Sequence, residues 1–456
     1  MSSVTDDRPL PDAEAELLEA ALGVLDGNWT GRSTVPSPSL YPHQWSWDSA
    51  FIAIGLSWHR QERAQRELES LLAAQWADGR VPHIVFNPAV PPDAYFPGPD
   101  FWGSADLAGS PRGVRTSGLI QPPLHARAAL EIYEHAADPP EAVAFLTRVY
   151  PKLVAWHRYL LGRRDPDRIG LAAILHPWES GLDNSPTWEG VVGDLEIPVG
   201  ALPAYRRSDI VHADPADRPT AAAYDRFVYL VSVYRAAGYD DERICRFSPF
   251  VVVGPLVNAL LVWSSLAMAE IARLVGDDPE PHLGSAAVVR AAIEANLWDP
   301  DHRRYYTHDL RRRTLVRDPS ILSFMPLVDP ELPADGVRAI VRDLTAPCFH
   351  PPEGTDHFLV PSYDLTGRLF DPRRYWRGPV WINTDWLIWR GLLLHGQNEL
   401  AGHVADSMLA LVRRSGFREY FDPFTGAGHG SDRFAWSAAL IVDLIERRRR
   451  SATNGA

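Results

Sequence analysis

Apolar residues recur at spacings of three and four along most of this chain, the pattern of helices that each bury one face. The spacing predicts helices over AEAELLEAALGVL (13–25), AQRELESLLAAQW (64–76), HARAALEIYEHAA (125–137), EAVAFLTRVYPKLVAWHRYLL (141–161), AAYDRFVYLVSVYRAAG (222–238), SAAVVRAAIEANLW (285–298), NELAGHVADSMLALVRR (398–414) and AWSAALIVDLIERRRR (435–450). Segments around 47–58, 254–274, 335–345 and 380–395 bring the number to about a dozen. Alternation of the strand kind is rare and short: HIVFNP (83–88), GLAAILHP (170–177) and the hairpin-like RRYYTHDLRRRTLV (303–316).

About a dozen helices could stack into a solenoid or close into a ring. A solenoid would repeat its sequence at a fixed period, and none recurs here. The connections at 79–118, 176–217 and 346–378 are long and rich in Trp, Tyr, Pro and His, which suits ordered loops gathered over one end of a scaffold. The expectation is one all-α domain over 1–456, a double ring of inner and outer helices whose site lies where the loops meet. The stretch from Pro249 to Ala269 is apolar enough to raise a membrane span. Gly254 and Pro255 interrupt it, and Asn258, Ser264 and Ser265 add polar spots, so a buried inner helix is expected instead.

Composition narrows the partners. A formal charge of −13 disfavours nucleic acid. The runs Arg311–Arg313 and Arg447–Arg450 read as a solvated hairpin tip and a helix C-terminus. Two cysteines, Cys245 and Cys348, give neither a disulfide framework nor a zinc site. The first residues lack the pattern of a signal peptide, so a cytoplasmic protein is expected, with no membrane partner and with a homo-oligomer compatible with everything above.

Chemistry concentrates in four stretches that join aromatics to carboxylates, amides and arginines: YPHQWSWDSAF (41–51), HPWESGLDNSP (176–186), RRYWRGPVWINTDWLIW (373–389) and FREYFDPFTG (417–426). Aromatic faces with Asp, Gln and Arg beside them match the C–H faces and hydroxyl rims of sugars. Breaking a glycosidic bond takes two carboxyl groups, and Asp48, Glu179, Asp183, Asp385, Glu419 and Asp422 are the candidates in such settings. Spacing alone does not pair them. There is no GxGxxG, P-loop, HExxH or GxSxG, and His83, His176 and His429 read as structural histidines, so neither a cofactor nor a metal is expected.

Taken together, YPHQWSWDSAFIAIGL, HPWESGLDNSP, YWRGPVWINTDWL and FREYFDPFTGAGHGSDRFAWSAAL resemble glycoside hydrolase family 63, in its compact bacterial branch of glucosylglycerate and mannosylglycerate hydrolases. The resemblance runs in order along nearly the whole chain. It implies an (α/α)6 barrel and an inverting α-glycosidase, with Asp183 as general acid and Glu419 as general base on carboxyl groups roughly 6.5 to 9.5 Å apart. The acid must hold its proton near neutral pH, through apolar neighbours such as Trp178 or a like charge. Glu179 is open to two roles, that like charge or a salt bridge holding the loop.

Sugar positioning then falls to Asp48, with Trp45 and Trp47 as faces and Tyr41 and Gln44 closing the rim. Tyr375, Trp376 and Trp381 are expected as pocket wall, with Arg377 structural. Glycerate carries a carboxylate, for which Arg218 and Tyr224 are the expected partners, with Gln121 and Tyr95 helping. Gly98, Gly103 and Gly109 make 90–115 a candidate lid. The leading expectation is hydrolysis of glucosylglycerate, with mannosylglycerate also accepted. The alternatives are an α-glucosidase on neutral oligosaccharides, a sugar 2-epimerase of the same fold, and a sugar-binding protein without activity.

Overall fold

A computed structural model describes residues 12–350 and 357–454. Residues 1–11, where the signal-peptide expectation chiefly falls, and residues 351–356 of the loop at 346–378 lie outside the described residues.

Six helical segments pack each against the next to close an inner ring: Ser46–Leu56, His125–Glu134, Pro255–Val275, Ile321–Val328, Ile382–Leu394 and Ala435–Asn454, the last returning to the first. Between them in sequence, and outside them in space, come Asp12–Gly27, Gln61–Ala73, Pro139–Arg163, Glu280–Asn296, Ala334–Leu344 and Asn398–Ser415. The fold is an (α/α)6 barrel. Sequence decides which ring a helix joins. Every residue of Ser46–Leu56 (SWDSAFIAIGL) is buried, as an element packed on all sides requires, whereas Gln61–Ala73 (QERAQRELESLLA) buries chiefly the face with Ala64, Leu68, Leu71 and Leu72.

Pro255–Val275 is long and apolar enough to span a membrane by length and composition, and it is an inner helix with most of its residues buried. Its polar spots are satisfied inside the barrel: the Asn258 amide exchanges hydrogen bonds with the backbone of Ala172 at 2.8 and 3.1 Å, and Ser264 pairs with His157 at 3.0 Å.

One inner position differs from the expected set. Ile321–Val328 (ILSFMPLV) is a 3-10 helix, fully buried, with Pro326 inside it. Its run of apolar residues has no α-helical period to read, because a buried segment needs none and a proline removes the backbone donor. The predicted helix at 222–238 forms as Ala221–Ala236 but lies outside both rings, beside the loop 176–193.

Short antiparallel strands tie the loops. Gln44–Trp45 pairs with Ile84–Val85, Tyr420–Phe421 with Gly428–His429, and Ala173–Ile174, Val252–Val253, Thr307–Asp309 and Thr314–Val316 form one four-stranded sheet. Arg311–Arg313 form the exposed tip of the hairpin between Thr307–Asp309 and Thr314–Val316, as expected, whereas the second run is partly buried. Arg311 donates to the Ser248 carbonyl at 2.7 Å, and Arg447 turns inward to the buried carboxylates Glu131 and Asp443. The helix also continues beyond Arg450 to Asn454. Both cysteines are free thiols.

Candidate active site

The stretch HPWESGLDNSP folds as two single turns of 3-10 helix, Pro177–Ser180 and Pro186–Trp188, around an irregular centre. His176 caps the first, its Nδ1 accepting from the Trp178 N–H while its Nε2 meets the Phe227 carbonyl at 3.0 Å. Burial holds its pKa down at about 3, so the ring is neutral and structural. Gly181 ends the turn at φ +74°, and a Cβ there would lie 2.5 Å from the Trp47 ring. Both the backbone conformation and the close approach demand glycine.

The two carboxylates of this loop have separate fates. Glu179 is fully buried and bidentate with Arg164 at 2.6 and 2.8 Å, and it also accepts the backbone N–H groups of Leu175 and Ile120. It is a salt-bridge partner that ties the loop to Pro139–Arg163. Arg164 in turn faces Asp241, which Arg80 also meets at 3.1 Å.

Asp183, four residues on, points into a cavity. Burial pushes its pKa up to about 7, with Arg218 opposing and the negative charges of Glu419 and Asp209 adding to the rise. Glu419 and Asp209, not Glu179, are the like charges it feels. Its neighbour Asn184 accepts from the Trp376 N–H at 2.9 Å, which fixes the loop against the 375–381 segment.

Glu419 precedes the strand Tyr420–Phe421, and its backbone N–H bonds the Ser431 carbonyl at 2.9 Å. Its side chain is buried and accepts from the Ser431 N–H (3.0 Å), the Tyr41 hydroxyl (2.7 Å) and Arg218 Nη1 (3.2 and 3.3 Å). A carboxylate accepts all of these at once. Gly430, at φ +65°, leaves the space; a Cβ there would meet Glu419 Oε2 at 2.2 Å.

Arg218 is the hub. Its Nη2 donates to the Tyr41 hydroxyl at 2.7 Å, its Nε reaches Asp209 at 3.5 Å, and its guanidinium lies 4.0 Å over the Tyr375 ring. Burial keeps the Tyr41 phenol protonated, its pKa well above the usual value.

These groups line one cavity of about 90 Å³. Tyr41, Trp45, Trp47, Asp48, Tyr95, Gln121, Trp178, Asp183, Arg218, Tyr224, Tyr375, Trp376 and Glu419 all face it. Burial, with the charges of Glu419, Asp183 and Glu67 adding to it, raises the pKa of Asp48 well above the usual range. Gln121 also receives the Trp47 N–H at 3.2 Å, and Tyr95 packs edge-on against Trp45.

Two expected residues do not reach the cavity. Gln44 is turned away, donating to Ser49, the Glu67 backbone carbonyl and the Glu67 carboxylate at 2.9–3.0 Å; as the first residue of a two-residue strand it faces opposite to Trp45. Trp381 lies behind the wall, stacked 3.7 Å from Trp376 and donating to the Tyr375 carbonyl. Asp385 is buried away from the cavity, accepting the Val360 N–H at 3.1 Å.

Other lining residues escaped the sequence reading, among them Asp209, Trp102, Phe434 and Trp436, and His83, read as structural, also faces the cavity. Trp436 stands at the start of a strongly periodic helix, where tryptophan reads as core. Asp209 sits in a polar loop where nothing local distinguishes it from a solvated carboxylate. His83 bonds Ser117, and burial lowers its pKa to about 3.

The model of the mannosylglycerate hydrolase MGH1-like glycoside hydrolase domain matches residues 41–437, nearly the span between the first and last motif. The chain belongs to this branch of glycoside hydrolase family 63. It is 42% identical to the mannosylglycerate hydrolase of Rubrobacter radiotolerans, over 96% of this chain and 99% of that protein. Identity to the glucosylglycerate hydrolase of Mycolicibacterium hassiacum is 38%, over 94% and 98%. The crystal structure of the GH63 mannosylglycerate hydrolase from Thermus thermophilus in complex with Tris and D-glycerate superposes with a TM-score of 0.86 at 40% identity, covering 94% of this chain and 99% of that one. The chain is a glycoside hydrolase, and the fold and the family agree on it.

Proposed function

We propose that this hydrolase cleaves α-glucosides and α-mannosides of D-glycerate with inversion, releasing free sugar and glycerate. The observation that carries the mechanism is that Asp183 and Glu419, more than two hundred residues apart in sequence, line the same aromatic cavity, one with a raised pKa and the other accepting hydrogen bonds from Tyr41, Arg218 and the Ser431 N–H. Asp183 gives its proton to the glycosidic oxygen as the bond from C1 to that oxygen breaks. A water on the opposite face forms the new bond to C1 and passes its proton to Glu419. Asp48 holds sugar hydroxyls, and the indoles of Trp45, Trp47, Trp178 and Trp376 cover the C–H faces.

Glycerate as the aglycone is supported by the names of the relatives above and by a buried arginine, Arg218, in contact with Tyr41 and Tyr375 in a cavity that Tyr95 and Tyr224 also line. The relatives bear both sugar names at similar identity, so glucosylglycerate and mannosylglycerate enter as joint substrates. One observation favours a neutral aglycone: Arg218 is already engaged by Glu419 and Asp209. Comparing kcat/KM on glucosylglycerate and on glucosylglycerol separates the readings. A preference of at least tenfold for the acid is expected, and equal values would remove glycerate from the proposal. The anomer first released is expected to be β; initial α-sugar would reject inversion.

A further inference from the structure

The catalytic cavity contains an ionised carboxylate that the mechanism does not use. Asp209 lines it, buried, at the start of the short helix Asp209–His212. Its oxygens accept from Arg207 Nε at 3.0 Å and Nη2 at 2.6 Å, and from Arg218 Nε at 3.5 Å. Burial alone would raise its pKa, but Arg207 and Arg218 together hold the carboxyl below its usual value, so it carries its charge. Burial also raises the phenols of Tyr95 and Tyr224, and among the charges around them Asp209 adds most to that rise. Asp209 therefore stands at the end of the cavity where Arg218 and these two phenols meet the aglycone. We propose that Asp209 is a specificity residue that limits how tightly Arg218 holds the glycerate carboxylate, acting through Arg218 as a fixed competing anion, a reading that rests on glycerate being the aglycone.

Charges alternate along this wall in the order Arg207, Asp209, Arg218, Glu419. Arg207 is fixed at the outer end, donating from Nη1 to the Pro219 carbonyl at 2.8 Å and lying 4.3 Å over the Tyr224 ring. Asp209 is gripped by both arms of that guanidinium and is not free to swing away. Its bond to Arg218 is the longest hydrogen bond Arg218 makes, so an incoming carboxylate can share the guanidinium without displacing Asp209. It then has a like charge beside it, which weakens its hold. A hydrolase has to release the anion it makes, and a buried guanidinium without such a competitor would retain it. Arg207 sets the balance from the other side, because it offsets part of the Asp209 charge.

The test measures D-glycerate as an inhibitor, and KM for glucosylglycerate and glucosylglycerol, in the parent, Asp209→Asn, Asp209→Glu and Arg207→Gln. In Asp209→Asn, Ki for D-glycerate and KM for glucosylglycerate should each fall by at least about fivefold, while KM for glucosylglycerol changes less than about twofold. Asp209→Glu restores the charge and should return Ki towards the parent value. Arg207→Gln leaves the Asp209 charge unopposed and should raise Ki for D-glycerate. Both Asp209→Asn and Arg207→Gln break the same pair, so a merely structural role would move Ki in one direction, whereas the charge moves it in opposite directions. D-glycerate held equally or more weakly by Asp209→Asn would overturn the inference. If that variant does not fold, Arg207→Gln decides alone, and an unchanged or lower Ki there overturns it. A parent that D-glycerate does not inhibit, and that cleaves glucosylglycerol as well as glucosylglycerate, would overturn the proposed function and this inference with it. Equal Ki values across the variants of an enzyme that prefers glucosylglycerate would overturn the inference alone.

Discussion

At Asp183 the same displacement of pKa governs activity and stability. A group that must donate its proton works while it is protonated, so kcat/KM should fall on the alkaline side of a pKa near 7, the value set by burial. Asp183→Asn removes the proton and should lower kcat by about 10²- to 10⁴-fold with little change in KM. Its effect on stability has the opposite sign. The folded state holds the proton up to about pH 7, and the unfolded state loses it near 4. Stability therefore falls as pH rises between those values, and is not recovered above them. The variant escapes this cost, so its melting temperature should exceed the parent's by a margin that grows from pH 4 to 7 and then levels; a constant margin would disprove the raised pKa. At the other carboxylate, Gly430→Ala places a methyl 2.2 Å from Glu419 Oε2 on backbone at φ +65°. The base must move, and a kcat loss of more than about tenfold is expected, since an ångström of misplacement can cost about a hundredfold.

At the scale of the element, the loop that bears Asp183 depends on its anchor. Glu179, Arg164, Asp241 and Arg80 form a buried chain of alternating charge, linking the loop to the helix Pro139–Arg163 and to the start of Asp241–Phe247. Arg164→Met would leave two buried carboxylates short of their partner. Loss of about 3–5 kcal/mol in urea unfolding is expected, together with a fall in kcat as the Asp183 turn loses its hold. An unchanged kcat would mean that Gly181 and Asn184 alone position the acid. The sequence already displayed these elements unevenly. Helices with one apolar face were readable because burial on one side leaves a period of 3.6, whereas Asp183 and Glu419 were two of six candidate carboxylates in aromatic settings and were singled out only by the resemblance to the family. Ile321–Val328 was not readable, being apolar throughout and kinked by Pro326. The helix at 222–238 had the right period but no signal of where it would pack. Gln44 and Trp381 failed for a related reason: they stand beside true lining residues, and which side a residue faces is decided by a two-residue strand or a stacked neighbour.

Across the whole molecule, closing a double ring buries titratable groups that the unfolded chain leaves in water, and their shifts combine into one pH profile. Burial holds His83, His157 and His176 near pKa 3 and His43, His125 and His135 near 4. Unfolded histidines take up protons below about 6.5. Each therefore withdraws stability as pH falls from 6.5 towards its folded value, at about 1.4 kcal/mol per pH unit at most. The buried carboxyls act in the reverse sense. Glu67 and Asp183 are raised to about 7, and Asp48 and Asp385 also lie well above their usual values, so each withdraws stability as pH rises from about 4 to its folded pKa. Below 6.5 the histidine effect is the larger, because more groups contribute to it. Above 6.5 the histidines are neutral in both states and only the carboxyls still change. The melting temperature should therefore peak near pH 6.5, falling on the acid side and more gently on the alkaline side. A series of thermal melts from pH 4.5 to 8.5 at constant ionic strength checks this, and a melting temperature that climbs steadily to pH 8.5 would show that the buried carboxyls ionise freely inside the barrel.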